Sequence, residues 1–335
     1  LSSSSAASDV YKRQALLRLT LLRTAEDTWQ LVYTSHHILL DGWSSSRLLG
    51  EVLMHYRGEA VAAPGGRYGD YIHWLQQQDG EAAQQFWTAQ LAELDEPTRL
   101  APLFKAPAQG EGFADRLLTL DSERTRRLND FARDQRVTAN TLLQAAWMLV
   151  LQRCTGQSGV TFGATVAGRP ADLPGVEEQL GLFINTLPVV GCPRVEQSVA
   201  DWVQQVQARN LALREFEHTP LYEVQRWAGW SGEALFDTIM VFENYPIADA
   251  LQQASPQSLV FDRVVAQEQT HYPLTLVIEA GEQLAVRMSY DRSQLAGDTV
   301  AQLAAHFEHL LMALIADPQA ALGELSMLSE ADQHH

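Results

Sequence analysis

His36-His37-Ile38-Leu39-Leu40-Asp41-Gly42-Trp43-Ser44 is the stretch on which the reading of this chain turns. Upstream of it, apolar and polar residues partly alternate over Leu16 to Arg23, Glu26-Asp27 marks an acidic turn, and Trp29 to Ser35 (WQLVYTS) is rich in strand formers. This pattern predicts a hairpin. Downstream, Asp-Gly marks a turn and Ser44 is placed to cap a helix. That helix ends at Gly58 and sets Leu48, Leu49, Val52, Leu53 and Tyr56 on one face. The histidines therefore stand at a strand-to-helix junction, where a rigid scaffold holds side chains while backbone and solvent stay within reach.

Composition narrows the classes to which this junction can belong. The chain has 335 residues, 46% hydrophobic and 19% charged, enough for one large core or two ordinary ones, which excludes a disordered tail and a small disulfide-stapled fold. No window approaches the ~18 to 20 apolar residues of a membrane span. Twenty-four Lys and Arg against 41 Asp and Glu leave a net charge of −17, a balance that repels nucleic acid and anionic lipid. Cys154 and Cys192 lack Cys-x-x-Cys or Cys/His ligand spacing, which fits unpaired thiols in a reducing, cytoplasmic compartment. Neighbouring residues at a strand end face opposite sides, so His36 and His37 do not serve one site together, and no third ligand follows at a characteristic spacing. A metal centre is therefore a poor reading. One histidine is expected to face a reaction space while the other packs or bonds to backbone.

Leu1 to Gln14 (LSSSSAASDVYKRQ) has neither a signal-peptide core nor helix or strand patterning and is expected to be a non-native or disordered leader. Tyr68-Gly69-Asp70-Tyr71-Ile72-His73-Trp74 opens a helix after Pro64 to Gly66, and a further helix over Ala82 to Leu91 carries Phe86-Trp87. The Pro, Gly, Ala and Gln content between Glu96 and Gly112 marks a boundary, dividing 15–108 from 109–327. Beyond it the expected order is strand (Asp115 to Leu120), helix (Ser122 to Gln135), helix (Thr138 to Cys154) and strand (Gly159 to Val166). Helices then follow near Val199 to Glu215 and Pro220 to Trp227. Strands are expected near Leu235 to Phe242, Leu259 to Val265, Pro273 to Glu279 and Leu284 to Tyr290, before a closing helix from Gly297 to Ala316. The alternation argues for an α/β layer architecture.

HHxxxDG followed by Trp-Ser resembles the core motif of condensation domains from non-ribosomal peptide synthetases. The resemblance continues in order through Tyr68 to Trp74, Gly181-Leu182-Phe183-Ile184-Asn185-Thr186-Leu187-Pro188 and His218-Thr219-Pro220-Leu221-Tyr222-Glu223. It covers Ala15 to Met327, and Leu328 to Asp332, within 328–335, looks like the start of a linker toward an adenylation domain. What the resemblance implies for the fold is a pair of chloramphenicol acetyltransferase-like lobes in a V, with a tunnel between them and the first lobe incomplete, because motifs that the family carries upstream of HHxxxDG are absent.

The implied reaction is attack by the amine of an aminoacyl thioester on a donor aminoacyl or peptidyl thioester, each held on the phosphopantetheine arm of a carrier protein. No cofactor is then bound by the domain itself, and the implied partners are upstream and downstream peptidyl carrier proteins and an adenylation domain in the same polypeptide. His37 matches the family's active-site residue, either accepting a proton from the amine or holding it for attack, and the Gly42 backbone N–H is a donor to the developing oxyanion. Asp41 matches an aspartate held to be structural, with Arg169 of Val166-Ala167-Gly168-Arg169-Pro170 as its partner from the other lobe, and His36 is structural beside it. Trp43, Ser44, Asn185 and Asn244 are expected along the tunnel, Asn244 being equally readable as a turn residue. Tyr68, Tyr71 and Trp74 are read as core, His218 as packing and Trp227 to Trp230 as a packed loop. Trp43-Ser44 is more similar to domains joining two L-residues than to those accepting a D-donor. The alternatives are an epimerization domain, an inactive carrier-docking module and, less well matched by the later motifs, a coenzyme-A-dependent acyltransferase. With the upstream motifs absent, apolar faces are expected to lie uncovered and the chain to be less stable than a whole domain. A urea melt with one cooperative transition and an m-value normal for the chain's size would count against that.

Overall fold

Leu17–Arg23 (β1) and Trp29–Ser35 (β2) pair antiparallel, with register running from Leu17↔Ser35 to Arg23↔Trp29. Both lie where alternation and strand formers place them, and the computed structural model leaves Leu19, Leu21, Trp29 and Leu31 more than half exposed. The structure describes residues 15–61, 63, 65–104, 110–230, 232–243, 259–261, 265 and 270–327. The expected leader (1–14) and linker (328–335) lie outside them. The described residues of Leu1–Gln77, Arg169–Ile184 and Tyr245–Val264 form a smaller compact unit, and those of Gln78–Gly168, Asn185–Asn244 and Val265–His335 a larger one.

In the smaller unit Gly42–Tyr56 (α1) begins two residues before Ser44, the expected cap. Asp41 is the N-cap instead, its carboxylate accepting the Ser44 N–H. Asp-Gly thus opens the helix, because a carboxylate satisfies an orphan N–H and also meets the positive end of the helix dipole. On the expected apolar face Leu53 is buried, whereas Val52 and Tyr56 are exposed. Tyr68–Gln76 (α2) turns Tyr71 inward against Val176 and Phe183, with Tyr68 and Trp74 packed beside them.

The larger unit begins with Gly80–Leu91 (α3), capped by Asp79. This division differs from a linear split near residue 108, because α3 buries Ala83, Trp87 and Leu91 against Leu187, Val190, Phe236 and Ile239. The remaining elements are Phe113–Thr119 (β3), Ser122–Asp134 (α4), Ala139–Thr155 (α5), Val160–Val166 (β4), Asn185–Gly191 (β5), Val199–Leu213 (α6), Leu221–Trp227 (α7), Thr238–Glu243 (β6), Leu274–Glu279 (β7), Ala285–Asp291 (β8) and Gly297–Leu314 (α8). The six strands form one sheet in the order β3-β8-β7-β6-β4-β5, parallel at β7-β6-β4 and antiparallel elsewhere. Adjacent strand residues feed opposite faces. Met240 joins the core built on α4, α5, α6 and α8, while Ile239 joins the core beneath α3 and α7. Every residue of α5 from Thr141 to Leu151 is buried, as its near-unbroken apolar run requires. Among the described residues no helix is long and apolar enough to cross a membrane.

The strand expected from Leu235 begins at Thr238. Its first residues are engaged elsewhere: Phe236 forms an isolated bridge with Thr98, and the Asp237 carboxylate accepts the Leu100 and Ala101 N–H groups at 2.9 and 2.8 Å. Positions 259–261 and 265 carry no strand, and the rest of the Leu259 to Val265 stretch lies outside the described residues.

Gly163 sits in β4 between β5 and β6, and a β-carbon there would meet the Phe236 ring at 2.4 Å and Ile239 Cγ2 at 2.7 Å. Gly163→Ala is expected to destabilise by about 1–3 kcal/mol through overpacking, read as a lower melting temperature; an unchanged one would show that Phe236 has room to move.

Candidate functional site

The strand-to-helix junction places the motif's residues in contrasting surroundings. His36 closes the hairpin, its N–H donating to Leu16 O at 2.7 Å. Its Nδ1 accepts the Ile38 N–H at 3.1 Å, which puts the neutral ring's proton on Nε2. His37 begins the following turn and is exposed. Asp41, four residues on, is 1% exposed.

The Asp41 carboxylate is saturated. Oδ1 accepts the Ser44 N–H at 2.8 Å and Oδ2 the Phe183 N–H at 3.0 Å, while Arg169 Nη2 lies 3.3 Å from Oδ1 and 3.4 Å from Oδ2. The ion pair's side chains are 7% and 0% exposed. Arg169 donates further through Nη1 to Val176 O at 2.6 Å and Gln179 O at 3.1 Å, and its guanidinium carbon stands 3.9 Å from the Phe183 ring centroid and 5.7 Å from that of Trp43. These partners offset the desolvation of two buried charges, which Coulomb attraction alone does not reliably do. Among the described residues no hydrogen bond joins Asp41 to His37. The arginine was expected from the other lobe, yet Arg169–Ile184 packs within the same compact unit as the motif.

Ser44 and Trp43, expected along a tunnel, are instead tied to this node. The Ser44 hydroxyl, fully buried, donates to Gly181 O at 2.8 Å and accepts from Gly181 N at 3.0 Å and Arg169 Nη2 at 2.9 Å. Asp41 N–H also reaches Gly181 O at 3.1 Å. No capacity is left on that hydroxyl for a substrate. The Trp43 indole donates to Glu177 O at 2.9 Å. Gly181 is required here by close approach: a β-carbon would sit 2.2 Å from the Tyr68 ring. Tyr68 donates its hydroxyl to Leu182 O at 2.7 Å, and burial, with the Asp41 charge, pushes its phenol above the usual range.

In the larger unit, Asn185 donates to Glu217 O and Thr219 O and accepts from Thr186 N–H, so its amide too is committed to protein where substrate contact was expected. Asn244 lies outside the described residues. Burial lowers the His218 pKa, in keeping with packing, and Trp227, Ala228 and Trp230 pack on the core beneath α3 and α7. Both cysteines are free thiols. Burial pushes Cys154 up, and burial with the neighbouring Glu93 carboxylate pushes Cys192 up to about 11, so neither is a thiolate nucleophile at neutral pH. Among the described residues no cluster of three or more His, Cys, Asp or Glu is placed to hold a metal.

The reciprocal Ser44–Gly181 bonds and the Trp43–Glu177 and Tyr68–Leu182 contacts have no local sequence signal, since each spans more than a hundred residues.

The family model for the condensation domain matches residues 4–335, and the chain belongs to the condensation-domain family, the amide-forming domains of nonribosomal peptide synthetases. It is 39% identical over 327 residues to a linear gramicidin synthase of Brevibacillus parabrevis, a match covering 95% of this chain and 4% of that protein. The chain thus spans a small fraction of the curated relatives it matches. In fold it is similar to the X-domain from teicoplanin biosynthesis (TM-score 0.79, 21% identity, 94% of this chain and 75% of that one). It is likewise similar to the first condensation domain of the CDA synthetase (TM-score 0.72, 21% identity, 98% and 75%).

Asp41→Ala strands the Arg169 charge and removes the helix cap. It is expected to lower stability by ~3–5 kcal/mol together with activity, and Asp41→Asn, which keeps an acceptor oxygen, to cost less. A folded, equally stable but inactive Asp41→Ala protein would place Asp41 in the chemistry instead.

Proposed function

We propose that this chain joins two L-amino acid units by forming an amide between a donor aminoacyl or peptidyl thioester and the amine of an acceptor aminoacyl thioester. The observation that carries the reading is the contrast within one motif: His37 is exposed at the junction while Asp41 is buried against Arg169. The acceptor nitrogen attacks the donor carbonyl, the carbon–sulfur bond breaks, and the donor's thiol leaves with the proton that the nitrogen releases. An α-amine titrates near about 8, so a minority is neutral at pH 7. His37 then accepts the amine's proton or holds the amine for attack. Gly42, first residue of α1, offers a backbone N–H to the developing oxyanion, since the leading N–H groups of a helix lack intrahelical partners. His36, with Nδ1 engaged by Ile38, supports the turn that carries His37.

Both thioesters ride on phosphopantetheine arms of carrier proteins, so the domain itself needs no cofactor. Its partners are an upstream and a downstream carrier and an adenylation domain of the same polypeptide, in the cytoplasm. Trp43-Ser44 after Asp-Gly favours an L-configured donor.

Intact-mass detection of dipeptidyl transfer between two loaded carrier proteins tests this. Wild type is expected to yield the dipeptidyl carrier, and His37→Ala to lose at least about 100-fold in rate. Loss of donor stereochemistry without a new amide would replace the reading with epimerization, and carrier binding with no turnover would leave a docking module.

A further inference from the structure

Arg169 is oriented by two backbone carbonyls as well as by Asp41. Its Nη1 donates to Val176 O and Gln179 O, which the short 3-10 turn Val176–Glu178 and its C-cap present together. Such a turn is too short to hold its own course. Its internal bonds are two, Glu178 N–H to Gly175 O at 3.0 Å and Gln179 N–H to Val176 O at 3.3 Å. What packs against the turn therefore decides where its carbonyls point.

The buried Val176 packs with Tyr71 and Phe183, and the Trp43 indole donates to Glu177 O at 2.9 Å. A further contact comes from the segment that leads into α2, where the Gly65 N–H donates to Glu178 Oε2 at 3.0 Å. The two backbones touch there. A β-carbon on Gly175, whose φ is 72°, would lie 2.8 Å from Gly65 O, and one on Gly66 would lie 2.3 Å from Gln179 Nε2. Gln179 is 1% exposed and its amide has no hydrogen-bond partner among the described residues, so its side chain fills space without anchoring the turn. Glu178 supplies the anchor. Its side chain is exposed, so a substitution removes the bond to Gly65 without opening the core. All of these residues belong to the smaller unit.

We propose that Glu178 is a positioning residue: by holding Gly65 it fixes the turn at 175–179, and with it the carbonyls that set Arg169 on Asp41. The effect reaches the junction that bears His37, because Asp41 both caps α1 and donates its own N–H to Gly181 O. Its kinetic consequence rests on the amide-forming reading above, whereas its structural consequence does not.

The test is hydrogen exchange by mass spectrometry on the full chain, with Glu178→Ala, Glu178→Gln and Gly66→Ala. Glu178→Ala removes the acceptor for Gly65, and Gly66→Ala drives a β-carbon into the buried Gln179 amide from the other side of the same contact. The reporters are peptides over 180–184, whose Gly181 and Phe183 N–H groups bond to Ser44 and Asp41. In both disruptive variants these peptides are expected to exchange at least about threefold faster, while peptides over 49–56 in α1 keep their protection. Glu178→Gln, which retains an acceptor oxygen, is expected to exchange within about twofold of wild type. In the dipeptidyl transfer assay the disruptive variants are expected to lose at least about threefold in kcat, with KM for the loaded carriers held within about twofold. Unchanged exchange over 180–184 in Glu178→Ala would overturn the proposal, as would a Glu178→Gln protein as loose as Glu178→Ala. A loosened Glu178→Ala protein that keeps the kcat of an active wild type would overturn the positioning role too. If α1 also opens in Gly66→Ala, that variant has lost the smaller unit and the Glu178 pair decides. Wild type that makes no amide, yet shows the expected exchange pattern across the variants, would sink the amide-forming reading and leave the anchoring of the turn standing.

Discussion

The carboxylate of Asp41 and the guanidinium of Arg169, buried together, are the constraint on which the motif's geometry rests. Two charges withdrawn from water are tolerated only when their remaining hydrogen-bonding positions are filled. Here Ser44 and Phe183 supply N–H groups to the carboxylate, Val176 and Gln179 supply carbonyls to the guanidinium, and the Phe183 ring covers its face. Each of those partners is thereby fixed as well. The pair sets where α1 begins, because the same carboxylate caps it, and it sets the course of the segment from Arg169 to Phe183. The glycine at 181 lets that segment approach Tyr68 and meet Ser44 with both its N–H and its carbonyl.

This arrangement also divides labour within seven residues. A histidine and an aspartate so close in sequence invite comparison with a catalytic triad, in which the carboxylate orients the imidazole. The carboxylate here is held by three protein donors, the Ser44 and Phe183 N–H groups and Arg169 Nη2, and the histidine stands exposed in a turn on the other side of Leu39 and Leu40.

The larger unit contributes rigidity. Its sheet is covered on both faces, and α5 is buried along nearly three turns, so β4 and β5 emerge from it at fixed separation and register. Asn185, at the start of β5, donates to two carbonyls of the turn at 217–219. The same unit engages its leading segment by a different device, the Asp237 carboxylate accepting two consecutive backbone N–H groups at Leu100 and Ala101. In both cases a side chain from one strand or turn satisfies backbone groups of another segment, which is how irregular chain is kept near a sheet without leaving buried polar groups unpaired.

The elements that follow from local patterning were legible in the sequence. The hairpin was signalled by strand formers, α5 by its near-unbroken apolar run, α8 by its periodicity, and the junction by the motif that links the chain to its family. Ends were less legible where a long-range contact competes: α1 starts at Gly42 because Asp41 faces Arg169 as well as Ser44, and β6 starts late because Phe236 and Asp237 are engaged with residues 98–101. Ser44, Trp43 and Asn185 were readable as substrate-facing from their place in or beside motifs, and only the fold shows their polar atoms bonded to protein. The sequence by itself determined which segments are helix or strand and which residue types stand at the junction, because periodicity and capping act over a few residues. Tertiary structure alone decided which of those side chains remain available, because a hydrogen bond between Ser44 and Gly181, or between Asn185 and the 217–219 turn, depends on backbone groups that every residue carries and no local pattern distinguishes.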